Sequence, residues 1–200
     1  MIKKVVVFNA PAGSGKDEAC KHLSIPVHSH GIGDVGYFNR YHHKEFKSKL
    51  FSITREIFSV SKEEWDEHYT RELKETTWNK LNGLTPRQAL IFVSEDIIKP
   101  NFSKTYFGES LAKSLDHGIN VISDGGFDDE MIPIIEAVGK ENILVVKIKR
   151  EGCSFEGDSR SFLNTDKLGI METWVDNNST IEVFFTNVVE AVEGWLNLEE

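Results

Sequence analysis

The feature that most constrains the fold is an apolar run that leads into a glycine-rich turn followed directly by a lysine. Residues 5–8 are Val-Val-Val-Phe, and residues 13–16 are Gly-Ser-Gly-Lys. The apolar run predicts a buried strand. The turn with a lysine at the start of a helix is typical of a P-loop, in which backbone N–H groups converge on a phosphate. The sequence therefore predicts a strand, a phosphate-binding loop and a helix, in that order.

The loop departs from the usual P-loop pattern at two positions. Ala10 occupies the place of the first glycine, and Asp17 follows the lysine where serine or threonine is usual. We predict that the phosphates contact Ala12, Gly13, Ser14, Gly15, Lys16 and Asp17. Since a carboxylate beside a triphosphate needs a cation between them, Asp17 is interpreted as a Mg²⁺ ligand, directly or through water. The alternative is that Asp17 only complements the helix dipole.

Composition limits the class of protein. The 200 residues fit one domain, and 32 acidic against 23 basic side chains leave a net charge of −9. This excess disfavours attraction to nucleic acid or to an anionic bilayer, so we expect small-molecule partners. Cys20 and Cys153 form no CxxC pair, which fits a reducing compartment. Because no apolar run approaches a membrane span and the start does not resemble a signal peptide, we expect a cytoplasmic protein.

Hydrophobic periodicity predicts alternating helices and strands after the P-loop. Residues 25–40, rich in Gly, His and Pro, are predicted to form a loop. Apolar spacing predicts helices around Phe46–Ile57, Leu90–Ile97, Phe107–Leu115 and Ile181–Trp195. Strands are predicted over residues 119–124 and 142–149. This alternation predicts an α/β fold with a mainly parallel sheet that is covered by helices on both faces.

Several residues predict where helices begin and end. Ser61 followed by Glu64 resembles a capping box. Pro100 is predicted to end the helix before it, and Gly118 to cap the next. The acidic run over residues 128–130 is interpreted as complementing a helix dipole, with Pro133 in the first turn.

Ligands of a parallel sheet bind beyond the carboxyl ends of its strands. Besides the P-loop, two predicted strand ends carry suitable side chains, Asp124 and Arg150. Asp124 precedes two glycines and resembles the Walker B carboxylate that holds Mg²⁺ or its water shell. The alternative is an ordinary turn residue, because Asp-Gly is a common turn pair.

Three arginines are predicted to contact phosphate. Arg150 and Arg160 flank a short polar segment with two glycines, which we interpret as a lid. Arginines on a closing lid stabilise the charge of a moving phosphoryl group and help to exclude water. Arg87 begins a helix between the P-loop and Asp124 and is suited to hold a monophosphate through two hydrogen bonds. For each of the three, a solvated surface arginine is the alternative.

These motifs together resemble the bacteriophage deoxynucleoside monophosphate kinases, a P-loop family related to adenylate kinase. The resemblance rests on residues 13–17 (Gly-Ser-Gly-Lys-Asp), 85–90 (Thr-Pro-Arg-Gln-Ala-Leu), 123–127 (Ser-Asp-Gly-Gly-Phe) and 158–160 (Asp-Ser-Arg). It implies a three-layer P-loop kinase fold with a five-stranded parallel sheet, formed by residues 1–200 as a single domain. It also implies a helical acceptor-binding region over about 40–118 and a lid over about 150–164.

The resemblance further implies transfer of the γ-phosphoryl group of Mg·ATP to a deoxynucleoside monophosphate. Lys16 would contact the phosphates, Arg87 the acceptor phosphate, and Arg150 and Arg160 would close from the lid. Gly125-Gly126 replaces the bulkier segment that the family often has after the strand-end aspartate. Two alternatives remain at this point. One is a P-loop kinase for another small metabolite, whose hydroxyl acceptor needs no phosphate clamp at Arg87. The other is a nucleotide-binding module without phosphoryl transfer.

Overall fold

A computed structural model describes residues 3–31, 34–38, 40–158 and 160–199, with the backbone alone over residues 27–31 and 34–38 and at residue 199. The strands are β1 (Lys3–Asn9), β2 (Val27–Gly31), β3 (Asp34–Phe38), β4 (Tyr41–Lys44), β5 (Gly118–Ile122), β6 (Ile143–Lys149) and β7 (Met171–Asp176). In this part of the chain, five strands form one parallel sheet in the order β4-β5-β1-β6-β7. The N-terminal strand β1 therefore lies at the centre of the sheet.

Helices cover both faces of this sheet. They are α1 (Lys16–Leu23), α2 (Phe46–Phe58), α3 (Lys62–His68), α4 (Pro86–Ile91), α5 (Lys99–Asn101), α6 (Tyr106–Ser114), α7 (Asp128–Val138), α8 (Thr165–Leu168) and α9 (Ile181–Leu196), with a π-helical segment over Phe92–Ile98 between α4 and α5. Short 3-10 turns occur at Asn79–Leu81, Lys140–Asn142 and Asn197–Glu199. The predicted three-layer α/β fold with a five-stranded parallel sheet is confirmed.

Strand β1 joins the two layers of the core. Val6 and Phe8 face a cluster built with α1 and α9, whereas Val5 and Val7 face a cluster built with α2, α6 and α7. All four side chains are fully buried. An apolar run without polar alternation suits a central parallel strand, because both of its faces are covered. The P-loop that follows β1 therefore starts from the most deeply anchored strand of the sheet.

The prediction of a loop over residues 25–40 is wrong. The backbones of β2 and β3 pair as an antiparallel hairpin, from Val27 opposite Phe38 to Gly31 opposite Asp34. Backbone pairing sets such a hairpin, and histidine, serine and glycine at several of its positions hide the apolar alternation that usually marks a strand. The Gly and Asp residues at the link between the two strands are typical of hairpin turns.

Three of the predicted helix boundaries also differ. Pro100 does not end its helix, because it lies in the first turn of α5, where a missing N–H costs little, and the helix continues to Asn101. Gly118 does not cap α6, which ends before Leu115, but opens β5 with a φ of +96°. Pro133 lies inside α7 rather than in its first turn.

Other local predictions are confirmed. The capping box at Ser61 and Glu64 is present at the start of α3, with the Ser61 hydroxyl and the Glu64 carboxylate each bonded to the other residue's amide. A second capping box joins Thr85 and Gln88 at the start of α4.

The segment from residue 40 to 118 packs its helices around a small core of its own. Trp65 is 1% exposed and contacts the rings of Phe51 and Tyr69, next to the buried Leu81. The segment begins with strand β4, so its first residues belong to the sheet rather than to a helical region. Over the described residues, none of the helices combines the length and the apolar character that a membrane crossing requires.

Candidate active site

The P-loop connects β1 to α1 and turns on two glycines. Gly13 has a φ of +80° and Gly15 a φ of +98°, a region that side chains rarely adopt. A Cβ on Gly15 would lie 2.7 Å from Nδ2 of Asn177, in the loop after β7. That amide group donates a hydrogen bond to the backbone oxygen of Ser14 at 2.9 Å. The loop after β7 therefore supports the P-loop from behind.

Lys16 is held inside the loop. Its Nζ donates to the backbone oxygens of Ala10, at 2.5 Å, and Pro11, at 2.7 Å. Burial, together with the positive charge of Arg160, lowers the pKa of Lys16 to about 8. The methyl group of Ala10 packs in the core beside α1, which explains why this position accepts a side chain where the usual motif has glycine. Lysine and loop thus form one compact unit.

Arg160 is the most firmly held of the three predicted arginines. Its Nε and Nη2 donate to the two carboxylate oxygens of Asp158, at 3.0 and 2.6 Å, and its backbone N–H donates to the same group. This ion pair raises the pKa of Arg160 and lowers that of Asp158 to about 2. A Cβ on Gly126 would lie 2.9 Å from the Arg160 side chain. The glycine after Asp124 therefore leaves room for this arginine.

Arg150 and Arg87 occupy the rim. Arg150 is exposed and donates from Nη1 to the backbone oxygen of Gly13 at 2.9 Å, so it touches the P-loop directly. Arg87 is half exposed, and its Nε lies 2.6 Å from Oε1 of Glu75. Arg71 and Lys74, which the sequence patterns did not indicate, line the same wall as Arg87. These three residues therefore form a cationic wall of the site, with the backbone N–H of Arg87 bonded to the oxygen of Lys74.

Asp124 and Asp17 are linked by Lys47 at the start of α2. The carboxylate of Asp124 accepts hydrogen bonds from the amides of Phe46 and Lys47, each at 2.9 Å. The Lys47 ammonium lies 3.7 Å from Asp17 and 2.9 Å from Glu45. Burial alone lowers the pKa of Lys47, but these carboxylates outweigh it and raise the pKa. Lys47 carried no signal in the sequence, since its role depends on where α2 begins.

One cavity of about 620 Å³ joins these groups. Of the predicted site residues, it is lined by Ala12, Gly13, Gly15, Lys16, Asp17, Arg87, Asp124, Arg150 and Arg160. Ser14, which was also predicted to contact the phosphates, does not line the cavity, because it is fully buried. The cavity extends from the P-loop to α2, α4, the π-helical segment, α6 and the start of α7. Residues from distant parts of the chain therefore converge on one space.

Asn9 connects the P-loop strand to the last residues of the predicted lid. Its Nδ2 donates to the backbone oxygens of Gly125 and Ser161, both at 3.1 Å, and its Oδ1 accepts from the amide of Leu163 at 2.7 Å. Asn9 is fully buried in the structure. The signal in the sequence was a polar asparagine at the end of an apolar strand, where a buried amide needs hydrogen-bond partners. This side chain ties together the three chain segments that carry Lys16, Asp124 and Arg160.

A Mg²⁺ ion fits the chemistry of the Asp17–Asp124 pair. This ion usually keeps several waters and is held by one or two carboxylates together with substrate phosphates. Among the described residues, no group of three or more His, Cys, Asp or Glu side chains is arranged to hold a metal alone. Both carboxylates raise the pKa of the Lys47 ammonium, so each lies near a cation in this structure.

Glu130, in the first turn of α7, is a second residue that the patterns did not single out. It lines the cavity and is mostly buried. Burial, with a contribution from the negative charge of Asp124, raises the pKa of Glu130 to about 7, although Lys99 acts in the opposite direction. Glu95 and Arg160 are the other charged groups that act on it, the first raising and the second lowering its pKa.

We expect Glu130→Gln to remove a pH-dependent cost in stability. Because folding raises this pKa from 4.5 to about 7, its stabilising contribution is complete below about pH 4.5 and is lost as the pH rises through 7. Urea unfolding is measured without nucleotide or divalent cations. The free energy of unfolding of the variant, relative to that of the natural protein, should rise by up to about 3 kcal/mol from pH 4.5 to pH 8. An equal difference at both pH values would contradict this assignment.

Comparison with known proteins gives one relative of similar length. A protein of Acanthamoeba polyphaga mimivirus, named "Putative deoxynucleotide monophosphate kinase", is 27% identical over 195 residues, which cover 90% of this chain and 92% of that protein. No family model matches the chain. Among solved structures, a gluconokinase from Sinorhizobium meliloti 1021 aligns with a TM-score of 0.44 at 12% identity, covering 98% of this chain and 95% of that one. The mimivirus similarity supports a relationship to kinases.

Proposed function

We propose that this protein is a nucleotide kinase that transfers the γ-phosphoryl group of Mg·ATP to the phosphate of a nucleoside or deoxynucleoside monophosphate. The observation that carries the proposal is that one cavity is lined both by the P-loop and by a second group of cations, Arg71, Lys74 and Arg87. A nucleotide-binding module without phosphoryl transfer needs the P-loop only. Two phosphate-binding sides that share one cavity suit transfer between two phosphorylated substrates.

The donor phosphates would bind the P-loop. The backbone N–H groups of residues 12, 13 and 15–17 lie at or just before the start of α1, where the helix dipole favours negative charge, whereas that of Ser14 is bonded to the Pro11 oxygen. Lys16 would exchange its two carbonyl contacts for phosphate oxygens when ATP binds, because charged acceptors form stronger hydrogen bonds than neutral ones. Asp17 and Asp124 would hold Mg²⁺, which when bound supplies positive charge to the donor phosphates.

The acceptor would bind between the P-loop and the helical part of residues 40–118. The guanidinium group of Arg87 is suited to the two oxygens of a monophosphate, and its Glu75 partner is exposed, so exchanging that ion pair for a phosphate costs little. Arg71 and Lys74 add charge to the same wall. We infer that this segment determines which acceptor is used.

Residues 150–164 would act as the lid. Arg150 already contacts the P-loop oxygen of Gly13, and Arg160 lies close enough to Lys16 to influence its pKa. As negative charge spreads over the transferring group, both guanidinium groups would stabilise it and help to keep water out. Since phosphoryl transfer depends on alignment and electrostatics, no covalent intermediate with this chain is needed.

The test is acceptor-dependent ADP formation from Mg·ATP with each common ribo- and deoxyribonucleoside monophosphate, and with a panel of hydroxylated metabolites. We expect turnover with monophosphates only, and for Arg87→Met a roughly 10- to 100-fold higher KM for the monophosphate with an unchanged KM for ATP. The matched control is Arg40→Met, since Arg40 is a similarly exposed arginine paired with a glutamate, Glu193. The proposal would be overturned if turnover occurred only with a hydroxylated metabolite. It would also be overturned if none of the acceptors in the panel supported turnover.

A further inference from the structure

The end of the cavity that is lined by α4, the π-helical segment, α6 and the start of α7 contains a carboxylate without a partner. In the part of the chain that the structure describes, the side chain of Glu130 forms no hydrogen bond or ion pair, although it is mostly buried in the cavity wall. Holding a carboxylate in such a place costs free energy, and native proteins rarely leave one there without a use. Its neighbours in sequence, Asp128 and Asp129, do not line the cavity. The position therefore points to a ligand.

The packing of α6 fixes this carboxylate in place. A Cβ on Gly108 of α6 would lie 2.4 Å from the backbone oxygen of Glu130. Only glycine allows the two helices to approach so closely at this turn. The first turn of α7, and with it the start of the Glu130 side chain, is therefore positioned by a tight helix contact rather than by a flexible loop.

The π-helical segment supplies the complementary charge. Lys99 directly follows this segment, and its Nζ donates to Glu95 at 2.6 Å, while the hydroxyl group of Ser94 donates to the same carboxylate at 2.9 Å. The Lys99 ammonium also lies 5.6 Å from the centroid of the Phe127 ring. Since an ammonium has three N–H donors, Lys99 retains donors for a ligand. Helices of this wide type are rare and occur frequently at functional sites.

The walls around these charges are apolar. Leu90, Ile91, Phe107 and Phe127 line this end of the cavity together with Glu130 and Lys99. An apolar space with a few polar groups at its edge is the usual composition of a site for a planar ring that carries hydrogen-bonding groups. A nucleobase is such a ring, and it would lie here if the monophosphate bound the cationic wall.

We propose that this end of the cavity is the base subsite of the acceptor and that Glu130 selects guanine, with Lys99 donating to the neighbouring carbonyl oxygen of the base. The inference rests on the proposed function. On its pairing edge, guanine presents a carbonyl oxygen and then two adjacent N–H donors, which match an ammonium and the two oxygens of a carboxylate. Adenine and cytosine place an unprotonated ring nitrogen beside their amino group, and thymine has one N–H between two carbonyls.

The test is calorimetric binding of dGMP, dAMP, dCMP and dTMP to the natural protein and to Glu130→Gln, followed by initial rates with Mg·ATP. The matched control is Asp129→Asn, which removes an exposed charge from the same helix turn. We expect the natural protein to bind dGMP most tightly. Glu130→Gln should weaken dGMP binding about 10- to 100-fold and change the other three by less than about threefold. The loss should appear in KM more than in kcat.

Tightest binding of another base, or an equal loss for all four monophosphates in Glu130→Gln, would overturn the guanine assignment while leaving the kinase proposal standing. Selective dGMP binding that depends on Glu130, without any phosphoryl transfer, would support the base subsite and overturn the kinase proposal instead. The two proposals therefore fail through different measurements.

Discussion

Replacing Lys16 with methionine is expected to lower kcat at least roughly 10²- to 10³-fold, with the fold retained. The ammonium of Lys16 lies inside the P-loop, bonded to the oxygens of Ala10 and Pro11, where solvent screens its charge weakly. A positive charge held in such a place stabilises negative charge that develops during phosphoryl transfer. Methionine fills a similar space but carries no charge.

Stability should change little in this variant, because burial already disfavours the charged form of Lys16 in the folded protein. The matched control is Lys21→Met on the same helix, where the lysine is exposed and pairs with Glu18. Steady-state kinetics and urea unfolding should be measured on both variants. Undiminished turnover in Lys16→Met would contradict the assigned role, and so would an equal loss in Lys21→Met.

Arg160→Met is expected to produce a loss of similar or larger size, roughly 10³-fold in kcat. Asp158 holds the guanidinium group through two hydrogen bonds, and the close approach of Gly126 fixes the arginine stem. Such an arginine needs little reorganisation before it contacts a moving phosphoryl group. ATP binding should change much less, since in the proposed function the P-loop would supply most of its contacts.

Two further variants separate the charge of Arg160 from its placement. Arg160→Lys keeps the charge but not the paired donors, and Asp158→Asn keeps the arginine but removes its ionic partner. Both should retain more activity than Arg160→Met. If Arg160→Met lowers kcat by less than about threefold, the arginine does not act on the transferring group, and the proposed role of the lid is wrong.

The parts of the fold that sequence could predict are those set by local patterns. The apolar run of β1, the glycines of the P-loop and the apolar stripe of α9 each lie within one short window. The edge strands β4 and β7 were not predicted, because their polar residues show no strand pattern. Pairing with β5 and β6 defines these two strands. At β7, Val175 is the one buried side chain in Met171–Asp176.

In the candidate site, too, some residues follow from local sequence patterns and others only from tertiary packing. Lys16 and Asp17 follow from the motif, whereas Lys47 and Glu130 acquire their positions only from the packing of α2 and α7. The acidic run over residues 128–130 gave no reason to separate Glu130 from Asp128 and Asp129, and dipole complementarity explained all three. The contact at Gly108 and the cavity distinguish Glu130, and neither is local in sequence.

The most direct test of the proposed phosphoryl transfer follows the phosphoryl group itself. The protein is incubated with Mg·ATP labelled in its γ-phosphate and, in separate reactions, with dGMP and with each other common nucleoside monophosphate, and the products are separated. We expect the label to appear in dGDP, at a rate that requires both dGMP and Lys16. Label found only in inorganic phosphate, or in a product that forms equally well without a monophosphate, would contradict the assignment of this cavity to transfer between nucleotides.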